Sequence, residues 1–182
     1  MPAPRRVRWS GTIAAPGRGG NFANDFAGTP PTRRVKDDEE GVNTILLVED
    51  DEDIAFLVRL VLTSAGCQVT TCRTADEALR HLAAAALPAT PPFDLLVTDV
   101  HLPGPLDGLA LVARARAEGL EPVAGTLVIS ASVGTADLAG YARAGVGESF
   151  LGKPFELSDL TARVRDLLER AGRPCVGAPL AV

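Results

Sequence analysis

Cysteine and histidine are scarce in this sequence. The 182 residues include three cysteines, Cys67, Cys72 and Cys175, and two histidines, His81 and His101. A small and odd number of cysteines does not build a disulfide framework, and a structural zinc site needs four cysteine or histidine ligands in a regular spacing. We therefore expect reduced thiols and a cytoplasmic protein.

The sequence also lacks long apolar runs and an excess of positive charge. No apolar run approaches the roughly 18 residues that a membrane span requires, and no apolar stretch follows the N-terminal arginines, as a secretory signal would need. The formal net charge is −5, whereas nucleic-acid-binding domains are usually basic. We expect no membrane association and no direct DNA binding. Hydrophobic residues make up 46% of the chain, which is enough for a core.

Charge and composition divide the chain near Val42. Residues 1–34 hold six arginines, one aspartate, five prolines and five glycines, without helical or strand periodicity. Such a segment cannot bury enough apolar surface to offset its ordering entropy. We predict a disordered basic arm and acidic linker over 1–42, a folded domain over 43–171 and a short flexible tail over 172–182. We favour a passive arm over one that contacts an acidic partner; translation that starts at Val42 and omits the arm is a third hypothesis.

The ordered region alternates strand and helix signals. Short apolar runs predict five strands, at residues 44–48, 68–71, 93–98, 126–129 and 148–151. Apolar residues recur at helical spacing after the first run, at Ile54, Leu57, Val58, Val61 and Leu62.

Capping residues mark the later helices. Thr74 opens a capping-box pattern, Asp107 precedes a third helix, Thr135 opens a short fourth helix that ends near Gly145, and Leu157 begins the last amphipathic helix. Five strand–helix units in succession predict an α/β domain of three layers, doubly wound around a parallel five-stranded sheet. The small size favours the flavodoxin-like strand order 2-1-3-4-5.

Polar side chains follow the ends of these predicted strands. Glu49 and Asp50 come after the first strand, and Asp99 comes after the third. Because these two strands are neighbours in the predicted order, the three carboxylates should converge, which is unfavourable unless a cation lies among them. Oxygen ligands favour Mg²⁺. Ser130 and Lys153, after the fourth and fifth strands, add a hydroxyl and a positive charge, and the whole set suits phosphoryl transfer.

Four short motifs carry these residues, namely Ile45–Asp51, Val97–Gly104, Val128–Ala131 and Gly152–Phe155. In this order and spacing they resemble the signatures of the CheY-like response-regulator receiver domain, and the resemblance covers roughly residues 43–171. It implies a phosphoacceptor of a two-component phosphorelay rather than an enzyme, with self-catalysed phosphotransfer and autodephosphorylation. About 11 residues follow the last predicted helix, so we expect a stand-alone receiver.

The resemblance implies how phosphate and metal are held. Asp99 would be the phosphoacceptor, supplied by a sensor histidine kinase or a histidine phosphotransfer protein. Mg²⁺ would be held by Glu49, Asp50, Asp99 and the backbone carbonyl of His101. Glu49 stands where the family more commonly has aspartate. We favour an exposed His101 side chain over one that pairs with the phosphate and tunes the rate of its hydrolysis.

The resemblance also implies a switch. Lys153 would pair with a phosphate oxygen, and the Lys153–Pro154 bond would be cis. Ser130 would move toward the phosphate while Phe150, the aromatic switch residue, becomes buried. A downstream protein would read the change on the face formed by the fourth helix, fifth strand and fifth helix, which includes Ala139, Arg143 and Val146.

Several alternatives remain open. Asp50 and Asp51 could instead cap the first helix, although capping does not explain Asp99 at the end of a different strand. Lys153 could be a surface lysine, although its place before Pro154 at a strand end argues for a role, and Phe150 judged alone is more often core than switch. The D-x-D pattern at Asp51–Asp53 is that of a Mg²⁺-dependent haloacid-dehalogenase-like phosphatase, although Ser130-Ala131-Ser132 stands where that family needs an acidic pair. A dinucleotide site lacks its G-x-G-x-x-G motif. The last alternative is a receiver-like module that binds its partner without phosphorylation.

Overall fold

The computed structural model describes residues 41–131 and 150–175. These residues form five strands and four helices: β1 (Thr44–Val48), α1 (Glu52–Ser64), β2 (Gln68–Cys72), α2 (Ala75–Ala85), β3 (Leu95–Asp99), α3 (Gly108–Ala117), β4 (Thr126–Ser130), β5 (Phe150–Gly152) and α4 (Leu157–Arg170). The predicted helix from Thr135 to Gly145 lies outside the described residues, and so do Ser132, Ala139, Arg143 and Val146.

The five strands form one parallel sheet in the order β2-β1-β3-β4-β5, which confirms the predicted topology. Their register brings the C-terminal ends to one edge of the sheet: Val48 lies beside Thr98, Asp99 beside Ile129, and Ser130 beside Gly152. The residues that follow these strands therefore meet at this edge.

Helices cover both faces of the sheet, as predicted. On one face, side chains such as Leu46 and Val128 pack with the buried residues of α2 and α3. On the other face, Ile45 and Ile129 pack with α1 and α4. The central strands carry apolar side chains on both faces because both faces are buried, which explains their nearly continuous apolar runs.

The capping predictions are confirmed for α2 and α3. Thr74 Oγ1 accepts a hydrogen bond from the backbone N–H of Glu77 at 3.2 Å, and Asp107 Oδ1 accepts one from Ala110 at 2.7 Å. Asp51 caps α1 through two backbone N–H groups, those of Asp53 and Ile54. Each cap satisfies donors that the first helical turn leaves unpaired.

Two local predictions were wrong. β3 begins at Leu95 rather than at Phe93, because the Asp94 carboxylate takes the Thr44 N–H, at 2.7 Å, that the backbone of a longer β3 would have to accept. Leu57, predicted on the buried face of α1, is 43% exposed. Helical periodicity identifies an apolar stripe but not which of its members the sheet covers.

The chain that follows α4 is attached to the opposite end of the sheet from the strand C-termini. Arg173 donates to Asp94 Oδ1 through both Nε and Nη2, at 3.0 and 2.6 Å. The side-chain amide of Asn43 donates to the Arg173 and Pro174 carbonyls. Among the described residues, no helix has the length and apolar character to cross a membrane.

Candidate functional site

Three carboxylates converge at the C-terminal edge of the sheet. Glu49 and Asp50 directly follow β1, and Asp99 is the last residue of the neighbouring β3. One carboxylate oxygen from each residue lies within 4.8 Å of the other two. The strand order thus places these side chains together as the sequence predicts, and Asp51 turns instead to the N-terminus of α1.

Lys153 bridges two of the carboxylates. Its Nζ donates to Glu49 Oε2 at 2.8 Å and to Asp99 Oδ2 at 2.5 Å. The Lys153 backbone N–H donates to the Ser130 carbonyl at 2.6 Å, and the Lys153–Pro154 peptide bond is cis, as the resemblance implies. The lysine side chain is 17% exposed, so it is not an ordinary surface lysine.

The site is buried and its charges are only partly balanced. Glu49 is 3% exposed and Asp99 is 8% exposed. Burial raises the pKa of Glu49, and this effect exceeds the opposing attraction of Lys153. Burial by itself lowers the pKa of Lys153, but hydrogen bonds to Asp99 and Glu49 outweigh it, so the lysine pKa is raised. Lys153 pairs with two of the three carboxylates, so its single positive charge neutralises the cluster only in part.

The remaining predicted residues surround this cluster. Ser130 is 1% exposed and ends β4, where it lies beside Gly152, the residue before Lys153. The His101 side chain is exposed, and its backbone N–H donates to Asp99 Oδ1 at 3.1 Å. Phe150 begins β5 and is partly buried against the core between the sheet and helices α2 and α3.

Three neighbours of the site were not predicted. Thr98 Oγ1 donates to the Asp99 carbonyl at 2.9 Å. Gly108 packs so closely on that carbonyl that a Cβ atom there would lie 1.9 Å from the oxygen. Arg73 donates to the Asp50 carbonyl at 3.2 Å. The weak signal for Gly108 is a glycine in the first turn of a helix, where it is unfavourable; Arg73 carries no sequence signal.

The donors fit a hard divalent cation. All three side chains offer carboxylate oxygens, and Mg²⁺ takes oxygen ligands, often one or two carboxylates together with waters and a phosphate. The raised pKa of buried Glu49 indicates that further positive charge would be favourable here. Within residues 41–131 and 150–175, the side chains that form this cluster are all carboxylates, an oxygen-only set that does not favour softer metals.

Comparison with known proteins places the chain in a family. Residues 45–165 match the model of the response regulator receiver domain. The chain is 35% identical over 127 residues to the transcriptional activator protein PfeR of Pseudomonas aeruginosa, covering 69% of this chain and 38% of that protein. It is 34% identical over 128 residues to the transcriptional regulatory protein PrrA of Mycobacterium tuberculosis, covering 70% and 51%. The chain thus spans about half the length or less of these two relatives.

Solved structures share the same architecture. The receiver domain of a Francisella response regulator is 26% identical, with a TM-score of 0.60 over 70% of this chain and 98% of that one. A CheY-like receiver domain protein from Methanospirillum hungatei shares the fold, with a TM-score of 0.61, 21% identity, and coverage of 73% and 98%. From the family match, the sheet order and the edge at which the acids meet, we conclude that the chain belongs to the response regulator receiver domain family of two-component systems.

Proposed function

We propose that this receiver domain takes a phosphoryl group onto Asp99 from a phosphohistidine of a sensor histidine kinase or a histidine phosphotransfer protein. The observation that carries the proposal is the environment of the Asp99 carboxylate. Its Oδ2 lies 2.5 Å from Lys153 Nζ, inside a cluster of three acids at the sheet edge. A nucleophilic carboxylate, a fixed cation and a metal-binding pair are the groups that phosphoryl transfer needs.

The chemistry is a displacement at phosphorus. An Asp99 carboxylate oxygen forms the new O–P bond while the N–P bond of the phosphohistidine breaks, and the imidazole leaves and takes up a proton. Lys153 exchanges its contact with Asp99 Oδ2 for a phosphoryl oxygen and so keeps a positive charge beside the group that is transferred. Mg²⁺, held by Glu49, Asp50, Asp99 and the His101 carbonyl, would neutralise phosphoryl charge. Water later attacks the phosphorus, the Asp99 O–P bond breaks, and inorganic phosphate leaves while the carboxylate is restored.

Partner docking is supported by the surface of α1. This helix starts beside the acid cluster, at the Asp51 cap. Phe56 and Leu60, one helical turn apart, are 57% and 51% exposed, and Leu57 is exposed beside them. Exposed apolar patches often mark protein contacts. We expect the phosphodonor to dock here, because it must reach Asp99. Replacing Phe56 with alanine should slow transfer from the kinase and leave phosphorylation by acetyl phosphate unchanged.

The output is proposed to be protein binding in the cytoplasm. Phosphorylation would draw the Ser130 hydroxyl toward the phosphate and shift Phe150 into the core, a change between two populated states. The reading surface would comprise β5, α4 and the helix that the sequence predicts before β5, which lies outside the described residues. The negative net charge supports a protein partner rather than DNA, and the three cysteines are free thiols, which suits a reducing compartment.

Intact-protein mass spectrometry after incubation with acetyl phosphate and Mg²⁺ tests the proposal. We expect one phosphoryl adduct that requires Mg²⁺, that alkali removes, and that is lost in Asp99→Asn but kept in the matched control Asp107→Asn. An adduct that persists in Asp99→Asn would contradict the proposal. If neither acetyl phosphate nor a kinase phosphorylates a protein that binds Mg²⁺, a phosphorylation-independent binding module becomes the better account.

A further inference from the structure

Arg73 joins the β2–α2 loop to the loop that carries the acids. Its Nη1 contacts the Glu52 carboxylate, and its Nη2 donates to the Asp50 carbonyl oxygen at 3.2 Å. Its own backbone N–H donates to Glu77 Oε2 at 3.1 Å. Glu77 lies in the first turn of α2, so the arginine is attached to a helix at its backbone and holds the acidic loop with its side chain.

Asp50 has less support than its two neighbours along the chain. The Glu49 backbone N–H donates to Cys72 at 3.1 Å and extends the sheet by one residue, while the Asp51 carbonyl accepts from Ala55 and its side chain caps α1. Asp50 lies between these anchors. The hydrogen bond that the structure gives its carbonyl comes from Arg73. The Asp50 carbonyl shares its peptide plane with the Asp51 N–H, which donates to Glu49 Oε1 at 3.4 Å. Arg73 supplies the shorter of the two hydrogen bonds that orient this plane, and it alone of the two comes from another loop.

We propose that Arg73 is a positioning residue for the metal site, which aims the Asp50 carboxylate at the ion without touching it. The inference rests on the proposed function, since that function makes Asp50 a metal ligand. Side chains that orient a ligand in this way commonly change metal affinity by about 10- to 100-fold when they are removed. The predicted effect lies on Mg²⁺ affinity rather than on folding.

The loss of the Arg73 charge and the loss of its ion pair do not predict weaker Mg²⁺ binding, so the experiment can separate them from a loss of positioning. Removing a positive charge near three carboxylates should by itself tighten Mg²⁺ binding. The side chains of Arg73 and Glu52 are 61% and 78% exposed, and exposed ion pairs contribute little to stability. If Arg73→Ala melts at the wild-type temperature without Mg²⁺ but binds Mg²⁺ more weakly, the cause is the lost positioning of Asp50.

The test compares four full-length proteins by melting temperature as a function of MgCl₂ at constant ionic strength: wild type, Arg73→Ala, Arg73→Lys and Arg114→Ala. Arg114 is a matched control, because it is an exposed arginine paired with Glu118 at 2.8 Å on α3. We expect the apparent Mg²⁺ Kd of Arg73→Ala to rise about tenfold. Arg73→Lys keeps the charge but loses the forked geometry of the guanidinium group, so its apparent Kd should lie between those of wild type and Arg73→Ala. Arg114→Ala should have the wild-type Kd.

The readout does not depend on phosphorylation. An apparent Kd in Arg73→Ala that equals or falls below the wild-type value would overturn the inference, as would a wild type that Mg²⁺ does not stabilise. If wild type binds Mg²⁺ more tightly than Arg73→Ala but gains no phosphoryl group at Asp99, the positioning role stands and the proposed function fails. With both correct, Arg73→Ala reaches the wild-type phosphorylation rate at saturating Mg²⁺.

Discussion

The close packing of Gly108 on the Asp99 backbone predicts that the methyl group of Gly108→Ala lowers both stability and phosphorylation rate. Gly108 begins α3 and packs against the carbonyl of Asp99. A Cβ atom at position 108 would lie 1.9 Å from the Asp99 carbonyl oxygen, 2.9 Å from its carbon and 3.1 Å from Thr98 Oγ1. Both nearest atoms belong to backbone, so a side-chain rotation cannot relieve the contact.

The required movement can be read from these distances. Real Cβ atoms essentially never come within 3.0 Å of such atoms, so the oxygen and Cβ must separate from 1.9 Å by about 1.1 Å. Overpacking of this kind costs about 2 kcal/mol of the free energy of unfolding. A displacement of about 1 Å in a reacting group lowers a rate by about 100-fold. We therefore expect Gly108→Ala to lose both stability and phosphorylation rate.

The assay combines urea denaturation with the rate of acetyl phosphate labelling at saturating Mg²⁺. Gly119→Ala is the control, since Gly119 follows α3 with φ of +68° and has open space around its Cβ position. That control should lose about 1 kcal/mol of stability through backbone strain and keep the wild-type rate. A Gly108→Ala protein labelled as fast as wild type would refute the argument that this contact positions Asp99.

Three further predictions concern charge, capping and thiols. Lys153→Met should lower the free energy of unfolding by about 3 kcal/mol without Mg²⁺, because it leaves buried acids without their cation. The pKa of the lysine is raised above 10.5 in the folded protein, so its stabilising contribution is complete below pH 10.5 and is lost as the pH rises through the folded pKa. The denaturation curves of wild type and Lys153→Met should therefore converge in strong alkali. Asp107→Ala should cost about 1 kcal/mol through the lost α3 cap, and an unchanged urea midpoint would contradict this. Burial raises the pKa of Cys67 and Cys72 to about 12, so iodoacetamide at pH 8 should leave both unmodified until the protein unfolds.

The sheet was predictable because burial on both faces leaves a strong pattern. The run from Thr44 to Val48 appears in the structure with the predicted bounds. The convergence of Glu49, Asp50 and Asp99 followed from strand order alone, since the ends of neighbouring parallel strands meet at one edge. The helix predicted over residues 135–145 stays a prediction.

The contacts that shape the site from outside were not predictable. Gly108 of α3 packs on the carbonyl of Asp99 in β3, and the Arg73 side chain spans from the β2–α2 loop to the Asp50 carbonyl. Both depend on tertiary distances that periodicity and capping rules do not contain. The exposure of Leu57 was missed for the same reason, because periodicity does not show which residues of an apolar helix face pack against a neighbouring element.

The position of the phosphoryl group decides whether Asp99 is the phosphoacceptor. Borohydride reduces an acyl phosphate to the alcohol, so aspartyl phosphate becomes homoserine, which peptide mass spectrometry can assign to a position. After incubation with acetyl phosphate and Mg²⁺, we expect homoserine at position 99 and unmodified Glu49 and Asp50. Reduction at Glu49 or Asp50, with Asp99 intact, would contradict it.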